Sequence, residues 1–113
     1  MESRRERKEP LDRCTALIIE VGRCYWKDKK VKKVLTIHVY TNSLMDCYHL
    51  VNCFRGGRYP HPYRNPTRWR WSVTKREDLF IVYEEVLRVT GGEVPDNLQR
   101  LIEYYDSFRA ANL

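Results

Sequence analysis

The chain has 113 residues, of which 42% are hydrophobic and 12% aromatic, so it is long enough for one folded domain and too apolar for a disordered tail. No apolar run approaches the roughly 20 residues that cross a bilayer, which excludes a membrane span and a membrane partner. Residues 1–10, MESRRERKEP, are charged and lack the apolar core of a secretory signal. We therefore expect a charged tail over 1–10, a single domain over 11–113, and an intracellular location in the cytoplasm, nucleoid or an organelle matrix.

The net charge of +6 is distributed unevenly along the chain. Residues 1–22 carry five basic and five acidic side chains, and residues 77–113 carry three basic and eight acidic ones. Between them, residues 23–76 carry thirteen basic side chains and two acidic ones, Asp28 and Asp46. Such a concentration of positive charge attracts polyanions, and nucleic acid is the leading candidate partner.

The four cysteines, at positions 14, 24, 47 and 53, form no CxxC pair. Their spacing therefore indicates neither a disulfide framework nor a zinc site. We expect reduced thiols buried as small hydrophobic side chains.

The first part of the chain has a helical pattern followed by two alternating ones. Pro10 is predicted to begin a helix, and residues 14–21 are apolar on nearly all sides, so this helix requires cover on two faces. From Gly22 the hydrophobic period becomes two over residues 23–27 and again over 33–41, with the turn DKKVKK between them. This pattern predicts a β-hairpin.

The next segment repeats the order of a helix and a hairpin. Ser43 and Asp46 are spaced as in a capping box, and the helix that follows is predicted to end at Gly56-Gly57. Residues 58–65 contain two prolines, which limits them to an irregular or edge strand. Residues 68–74 alternate between polar and apolar and complete a second hairpin.

Two helices close the chain. Thr74 and Glu77 suggest a capping box before a helix that ends at Gly91-Gly92, and Pro95 is predicted to begin the last helix. The order αββαββα plus one helix predicts an α+β fold, with a four-stranded antiparallel sheet covered by helices on one face and cationic on the other. Strand parity places on the uncovered face Arg23, Tyr25, Lys27, Thr36, His38, Tyr40, Arg68, Arg70, Ser72 and Thr74. The RNA-binding RRM fold is disfavoured because its order is βαββαβ.

These segments resemble the LAGLIDADG homing endonucleases. CTALIIEVG (14–22), which opens onto RCYW, resembles the motif that ends a helix and leads into the first strand in that family. LTIHVYTN (35–42), CFRGGR (53–58), RWRWSV (68–73) and PDNLQRLIEYY (95–105) resemble its second strand, its second helix end with a glycine turn, its fourth strand and its last helix. The resemblance covers roughly residues 11–108. It implies a saddle-shaped sheet on the DNA major groove and a homodimer packed through the motif helices at Ala16, Leu17 and Glu20.

The resemblance also exposes a departure in the chemistry. The family's metal-binding carboxylate precedes the final glycine of the motif, and Val21 occupies that position here. Glu20 is the only carboxylate in the motif, which makes it the candidate catalytic residue and metal ligand. Lys75 falls within one position of the family's active-site lysine, and His38 falls where the family often has a polar residue near the reaction centre. DNA contact or surface exposure explains both equally well.

We therefore predict a sequence-specific, homodimeric double-stranded DNA-binding protein without nuclease activity and without a cofactor. One alternative is an active homing endonuclease that uses Mg²⁺ held by Glu20, and another is an RNA-binding intron maturase. The candidate DNA contacts are Arg23, Tyr25, Lys27, Lys29, Lys30, Lys32, Thr36, His38, Tyr40, Arg58, Arg64, Arg68, Arg70 and Ser72. Arg68 and Arg70 are the candidate base contacts, because guanidinium groups bind guanine bidentately.

Overall fold

The structure is a computed structural model that describes residues 4–29, 32–60 and 69–111, with side chains over 10–28, 33–57 and 69–107. Within these residues, four helices and four strands follow one another in the predicted order. They are α1 (Arg4–Val21), β1 (Arg23–Lys29), β2 (Lys32–Thr41), α2 (Leu44–Phe54), β3 (Gly57–Pro60), β4 (Trp69–Val73), α3 (Arg76–Thr90) and α4 (Arg100–Ala111). A short 3₁₀ turn, Asp96–Leu98, precedes α4. The predicted α+β fold class is confirmed.

The strands form one antiparallel sheet in the order β1-β2-β4-β3. The predicted first hairpin is present, with Arg23 opposite His38 and Lys29 opposite Lys32. β3 lies at the edge of the sheet, as its two-proline sequence predicts, although it covers only 57–60. The rest of the predicted 58–65 strand, from residue 61, lies outside the described residues.

The hydrophobic core lies between the helices and one face of the sheet. On β2 the alternate residues Leu35, Ile37 and Val39 are fully buried, and Trp71 and Val73 continue the same face on β4. The helices supply the other side of the core with the buried residues Cys14, Ile18, Cys47, Leu50, Phe54, Leu79, Val82, Val86 and Leu101. The apolar side chains of each strand therefore pack against the helices, and the alternate side chains point to the opposite face of the sheet.

The predicted start of the first helix at Pro10 is wrong, because α1 begins six residues earlier, at Arg4. Residues 4–9, RRERKE, are good helix formers apart from their charge, and they extend α1 in front of the proline. Pro10 lies inside the helix, where its missing N–H removes one hydrogen bond. α1 thus spans the predicted junction at residue 10, and the division into a tail and a domain stays a prediction.

The two predicted capping boxes have different outcomes. The Ser43 hydroxyl accepts a hydrogen bond from the Asp46 N–H at 3.3 Å, as expected, although the Asp46 carboxylate accepts from the Thr41 hydroxyl instead of returning to Ser43. The box at Thr74 and Glu77 is wrong. α3 begins one residue later, with extended Lys75 as the N-cap and no side-chain capping bond, so Thr74 is one position too early.

The cysteines are free thiols, and three of the four are buried. Burial raises the pKa of Cys24 to about 12. Burial and the neighbouring Cys53 thiol raise the pKa of Cys14 to about 12. Both thiols are therefore protonated near neutral pH and act as packing residues.

Among the helices within the described residues, none combines the length with the hydropathy that a bilayer crossing requires.

Candidate nucleic-acid interface

The second face of the sheet, here called the open face, carries alternating polar and cationic side chains from three strands. Opposed residues of antiparallel strands share a face, so the register assigns its members directly. They are Arg23, Tyr25 and Lys27 on β1, Thr36, His38 and Tyr40 on β2, and Arg70 and Ser72 on β4. The structure therefore brings together on one face the predicted DNA contacts of the sheet whose side chains it describes.

His38 lies at the centre of the open face and contacts two tyrosines. The Tyr25 hydroxyl oxygen is 2.7 Å from Nδ1 and 3.0 Å from Nε2 of His38, and the Tyr40 hydroxyl oxygen is 3.3 Å from Nδ1. Both tyrosine rings meet the imidazole edge to face, with centroids 4.9 and 5.8 Å away. This polar cluster fixes the orientation of three neighbouring side chains on the sheet surface.

The charge of the open face resides on its arginines and lysine. Burial, and then the nearby positive charges of Arg70 and Lys27, lower the pKa of His38 to about 4. Burial also raises the pKa of Tyr25. At neutral pH the histidine is therefore uncharged and serves as a hydrogen-bonding group among cations.

Accessibility divides the predicted contacts with described side chains into three groups. Arg23 and Lys27 are exposed, and Tyr25, Tyr40 and Arg70 are half-buried. Three others are buried on the open face, with exposed fractions of 1% for Thr36, 2% for His38 and 9% for Ser72. In register, Thr36 lies opposite Tyr25 and Ser72 lies opposite His38, so larger side chains flank these short ones.

This burial corrects the prediction that all three act as direct DNA contacts. In the described conformation they are closed to a macromolecule, and they act by supporting the exposed side chains around them.

The side chains of six further predicted contacts lie outside the part of the chain that the structure describes. Lys29, Lys32 and Arg58 belong to strands whose backbone is described, and in register Arg58 lies opposite Trp71. Lys30, Arg64 and Arg68 lie outside the described residues. Their roles in DNA binding stay predictions.

A cleft of about 420 Å³ marks the end of the motif helix. It is lined by Glu20, Val21, Gly22, Arg23, Tyr40 and Asn97. A glycine is required after the last residue of α1, because a Cβ at Gly22 would overlap the Ile18 carbonyl oxygen. That oxygen accepts a hydrogen bond from the Gly22 N–H at 2.8 Å. This cleft occupies the place where the family resemblance puts the metal centre.

Asn97 caps the C-terminus of α1 and was missed by sequence reasoning. Its side-chain amide donates to the carbonyls of Ile19 at 3.1 Å and Gly22 at 2.8 Å. A helix end leaves carbonyls that need donors, but nothing in the sequence indicates that the donor comes from 75 residues further along the chain.

The residues of this cleft do not fit a divalent metal ion. Among the described residues that line the cleft, Glu20 is the one carboxylate; it is exposed, and Arg23 lines the same cleft. Val21 is 40% exposed and offers no ligand atom. Within the described residues, no group of three or more His, Cys, Asp or Glu side chains is arranged to hold a metal. Mg²⁺ favours several oxygen ligands with negative charge, which this cleft does not supply.

Lys75, the other candidate catalytic residue, lines a different cleft. That cleft, of about 340 Å³, also contains Arg55, Ser72 and Asp78, and neither Glu20 nor Val21 lines it. The structure therefore does not place Lys75 in the same cleft as Glu20, as a shared reaction centre would require.

The outward side of α1 carries the predicted dimer residues. Ala16 and Glu20 are exposed and Leu17 is half-buried, while Cys14 and Ile18 face the core. α1 also packs against α2 and α3. The sequence predicts that both faces of this helix are covered. In the structure the inner face of α1 is packed against the core, and the outer face is partly exposed.

Comparison with known proteins identifies the fold. The homing endonuclease I-CvuI, solved in complex with the I-CreI target in the presence of Mg²⁺ with the DNA not cleaved, matches with a TM-score of 0.56. The fold is similar to that of a homing endonuclease. The match covers 73% of this chain at 10% sequence identity, and 57% of the I-CvuI chain. No family model matches the sequence, and no curated protein does.

Proposed function

We propose that this protein binds duplex DNA through the open face of its sheet. The observation that carries the proposal is the cationic open face on a fold similar to that of an endonuclease solved with a DNA target. Arg23 and Lys27 offer exposed charges for phosphates, and Arg70 offers a guanidinium fork for a guanine edge. The acidic side chains of residues 77–113 lie on the helical side, so the charge asymmetry orients the sheet toward DNA.

The test is the salt dependence of duplex binding, measured by fluorescence anisotropy with a labelled duplex. Lys27 and Lys33 form a matched pair, because both are exposed lysines of the same hairpin and the register places Lys27 on the open face and Lys33 on the opposite parity. Lys27→Ala is expected to reduce the slope of log K against log salt by about 1. Equal losses in Lys27→Ala and Lys33→Ala would contradict the assignment of the open face.

RNA binding is distinguished in the same assay. An unlabelled duplex DNA is expected to displace the labelled duplex at lower concentration than a structured RNA of the same length. The opposite order would favour the intron-maturase alternative, because A-form helices present a different groove geometry to a sheet.

We propose further that two chains associate through the outward face of α1. The exposed Ala16 and the half-buried Leu17 on the outward face of the motif helix support this arrangement. Sedimentation is expected to detect a dimer at tens of micromolar, and Ala16→Arg is expected to yield monomers because a long cation separates closely packed helices. A wild-type monomer whose sedimentation is independent of concentration would refute the dimer.

Finally, we propose that the protein does not cut DNA. In-line attack on a phosphodiester builds negative charge that two-metal enzymes stabilise with ions held by acidic side chains. Val21 and a single exposed Glu20 provide no such pocket within one chain. A library of duplexes incubated with the protein and Mg²⁺ or Mn²⁺ is expected to remain intact on sequencing of ends. Site-specific breaks that vanish in Glu20→Gln would restore the endonuclease alternative.

A further inference from the structure

The middle strand of the open face differs in charge from the strands on either side of it. β2 lies between β1 and β4, and in register its open-face side chains are Val34, Thr36, His38 and Tyr40. These four side chains, here called the central row, carry no charge at neutral pH, because the pKa of His38 is lowered to about 4. The centre of a cationic surface is therefore neutral.

Cations flank the central row on both sides. Arg23 and Lys27 lie on β1, and Arg70 lies on β4. Neighbouring strands are about 5 Å apart, so the two cationic rows are separated by about 10 Å. The major groove of duplex DNA is about 12 Å wide, with a phosphate backbone along each edge. A groove seated on the sheet therefore brings its edges to the cations and the bases at its centre over the central row.

Two tyrosines meet at the middle of the central row. The Tyr25 hydroxyl oxygen reaches across from β1 to lie 2.7 Å from Nδ1 of His38, and the Tyr40 hydroxyl oxygen lies 3.3 Å from the same atom. His38 is 2% exposed, whereas both tyrosines are half-buried and keep part of their surface open. A tyrosine side chain has one polar atom, and in both residues it faces the imidazole. What remains of each side chain is ring carbon.

A carbon surface at this place favours one base. Readout by hydrogen bonds requires a donor or acceptor directed at the base edge, and these two hydroxyls are directed at His38 instead. Apolar side chains in the major groove contact the C5-methyl group of thymine, which no other base of DNA presents there. The half-buried Val34 extends the apolar surface along the same row, opposite Lys27.

We propose that the central row reads thymine methyl groups through the rings of Tyr25 and Tyr40, and that His38 is the positioning residue that holds both rings in place. The inference rests on the proposed DNA-binding function and adds to it a class of target, duplexes with thymines at the centre of the bound groove. His38 itself does not touch DNA and acts through its two tyrosine contacts.

The test compares one duplex with its methyl-free counterpart. The wild-type protein selects a duplex from a random pool, and the same sequence is then made with deoxyuridine at every thymine, which removes only the C5-methyl groups. Anisotropy titrations at one salt concentration give the two affinities and their quotient, here called the methyl ratio. The wild type is expected to favour the thymine duplex by about fourfold for each methyl group that the rings bury.

Variants assign the methyl ratio to the cluster. Tyr25→Ala removes one ring and is expected to lower the ratio toward unity. His38→Leu fills similar space without a nitrogen for the tyrosines and is expected to lower the ratio too, whereas His38→Gln is expected to restore it, because a carboxamide bonds hydroxyl groups. Lys27→Ala is the matched control. It is expected to weaken both duplexes equally and keep the ratio, since phosphate contacts carry no sequence information.

A purely structural role of His38 gives a different result. A partly unfolded variant binds both duplexes less in the same proportion, so its methyl ratio stays that of the wild type. Thermal unfolding records the loss of stability separately. A ratio that falls in His38→Leu and returns in His38→Gln supports the positioning role, and a ratio that His38→Leu leaves unchanged while Tm falls overturns it.

The remaining outcomes separate this inference from the function on which it rests. If the wild type does not bind duplex DNA, both fail. If it binds the two duplexes equally, the thymine assignment is wrong and the DNA-binding proposal stands. A methyl ratio that survives in Tyr25→Ala would place the thymine contact elsewhere on the protein. If duplexes with 7-deazapurines, which lack the N7 acceptor, bind the wild type more weakly but bind Tyr25→Phe as well as the parent duplex does, the hydroxyl contacts the bases and the apolar assignment is wrong.

Discussion

The two faces of strand β2 show how one backbone segment serves two purposes. Leu35, Ile37 and Val39 point into the core and are fully buried against the helices. Between them, on the open face, lie Thr36 and His38 with exposed fractions of 1% and 2%. Both faces are therefore closed to solvent along much of this strand, one by apolar packing and the other by neighbouring polar side chains.

The two faces differ in how completely their buried side chains find packing contacts or hydrogen-bond partners. On the core side, apolar side chains need only contact, and each one finds it. On the open face the buried hydroxyls of Thr36 and Ser72 have no hydrogen-bond partner among the described residues, and the buried His38 has a strongly lowered pKa. Imperfect satisfaction of polar groups on one face is typical of a surface arranged for a partner as well as for the fold.

The largest expected effect is on the core face. Ile37 is fully buried and lies between Cys24 and Val73 in register, so Ile37→Ala removes packing atoms and leaves a cavity. We expect it to lower the free energy of unfolding by about 2–5 kcal/mol, measured by urea denaturation. A loss below about 1 kcal/mol would mean that the core face is loosely packed, and it would remove the contrast between the two faces.

The second effect is a pH dependence that arises from the open face. The pKa of His38 is lowered from 6.5 to about 4 in the folded chain, so the unfolded chain binds more protons between these values. Stability is therefore fully present above about pH 6.5 and falls as the pH decreases toward 4, by up to about 3 kcal/mol.

The measurement is urea denaturation at pH 7.5 and at about pH 4.5 for the wild type and for His38→Gln, which cannot titrate. The variant is expected to lose less stability than the wild type over this interval. If both lose the same amount, the titrating group lies elsewhere and the description of His38 as a buried neutral residue is wrong.

The alternation that separates the two faces could be read from the sequence, and so could the order of the elements. The period-two pattern of residues 23–41 and the Gly56-Gly57 and Gly91-Gly92 signals depend on local chemistry, which the structure follows. The pairing of Arg23 with His38 and of Tyr25 with Thr36 follows from the same parity.

The features that the sequence did not predict depend on contacts between distant parts of the chain. Burial of Ser72 on a nominally exposed face depends on its neighbours across the sheet, and the cap that Asn97 provides joins residues far apart in sequence. The positive φ of Arg55 is imposed by the bond from Trp71, since local propensity favours a glycine there. The start of α1 at Arg4 differs from the prediction because the helix formers of residues 4–9 continue the helix in front of Pro10.

A third, smaller effect concerns the charge on the open face. Arg70 is half-buried beside Tyr40 and Tyr59 in register, and Arg88 lies on the helical side, where it bridges Asp12 and Glu85. Arg70→Ala is expected to weaken duplex binding by about 1–3 kcal/mol and to relax the preference for one base pair. Binding titrations on a panel of duplexes with single base changes measure both quantities. Arg88→Ala is expected to change neither, and an equal loss in the two variants would show that DNA does not distinguish the two sides of the molecule.

The smallest expected effect is the change in unfolding free energy of Thr36→Val, which tests whether a buried hydroxyl of the open face lacks a hydrogen bond. Thr36 is 1% exposed and its hydroxyl finds no hydrogen-bond partner in the part of the chain that the structure describes. Thr36→Val therefore replaces an unsatisfied polar atom with a methyl group of nearly the same size. On the core face any such change to a well-packed residue destabilises, but here we expect the free energy of unfolding to stay within about 0.5 kcal/mol of the wild type or to rise. Valine also favours the extended backbone of a strand. Urea denaturation of the variant measures this change. A loss of about 1 kcal/mol or more would mean that the Thr36 hydroxyl forms a hydrogen bond in solution and stabilises the fold. Ser72 would then be the remaining buried hydroxyl of the open face without a partner among the described residues.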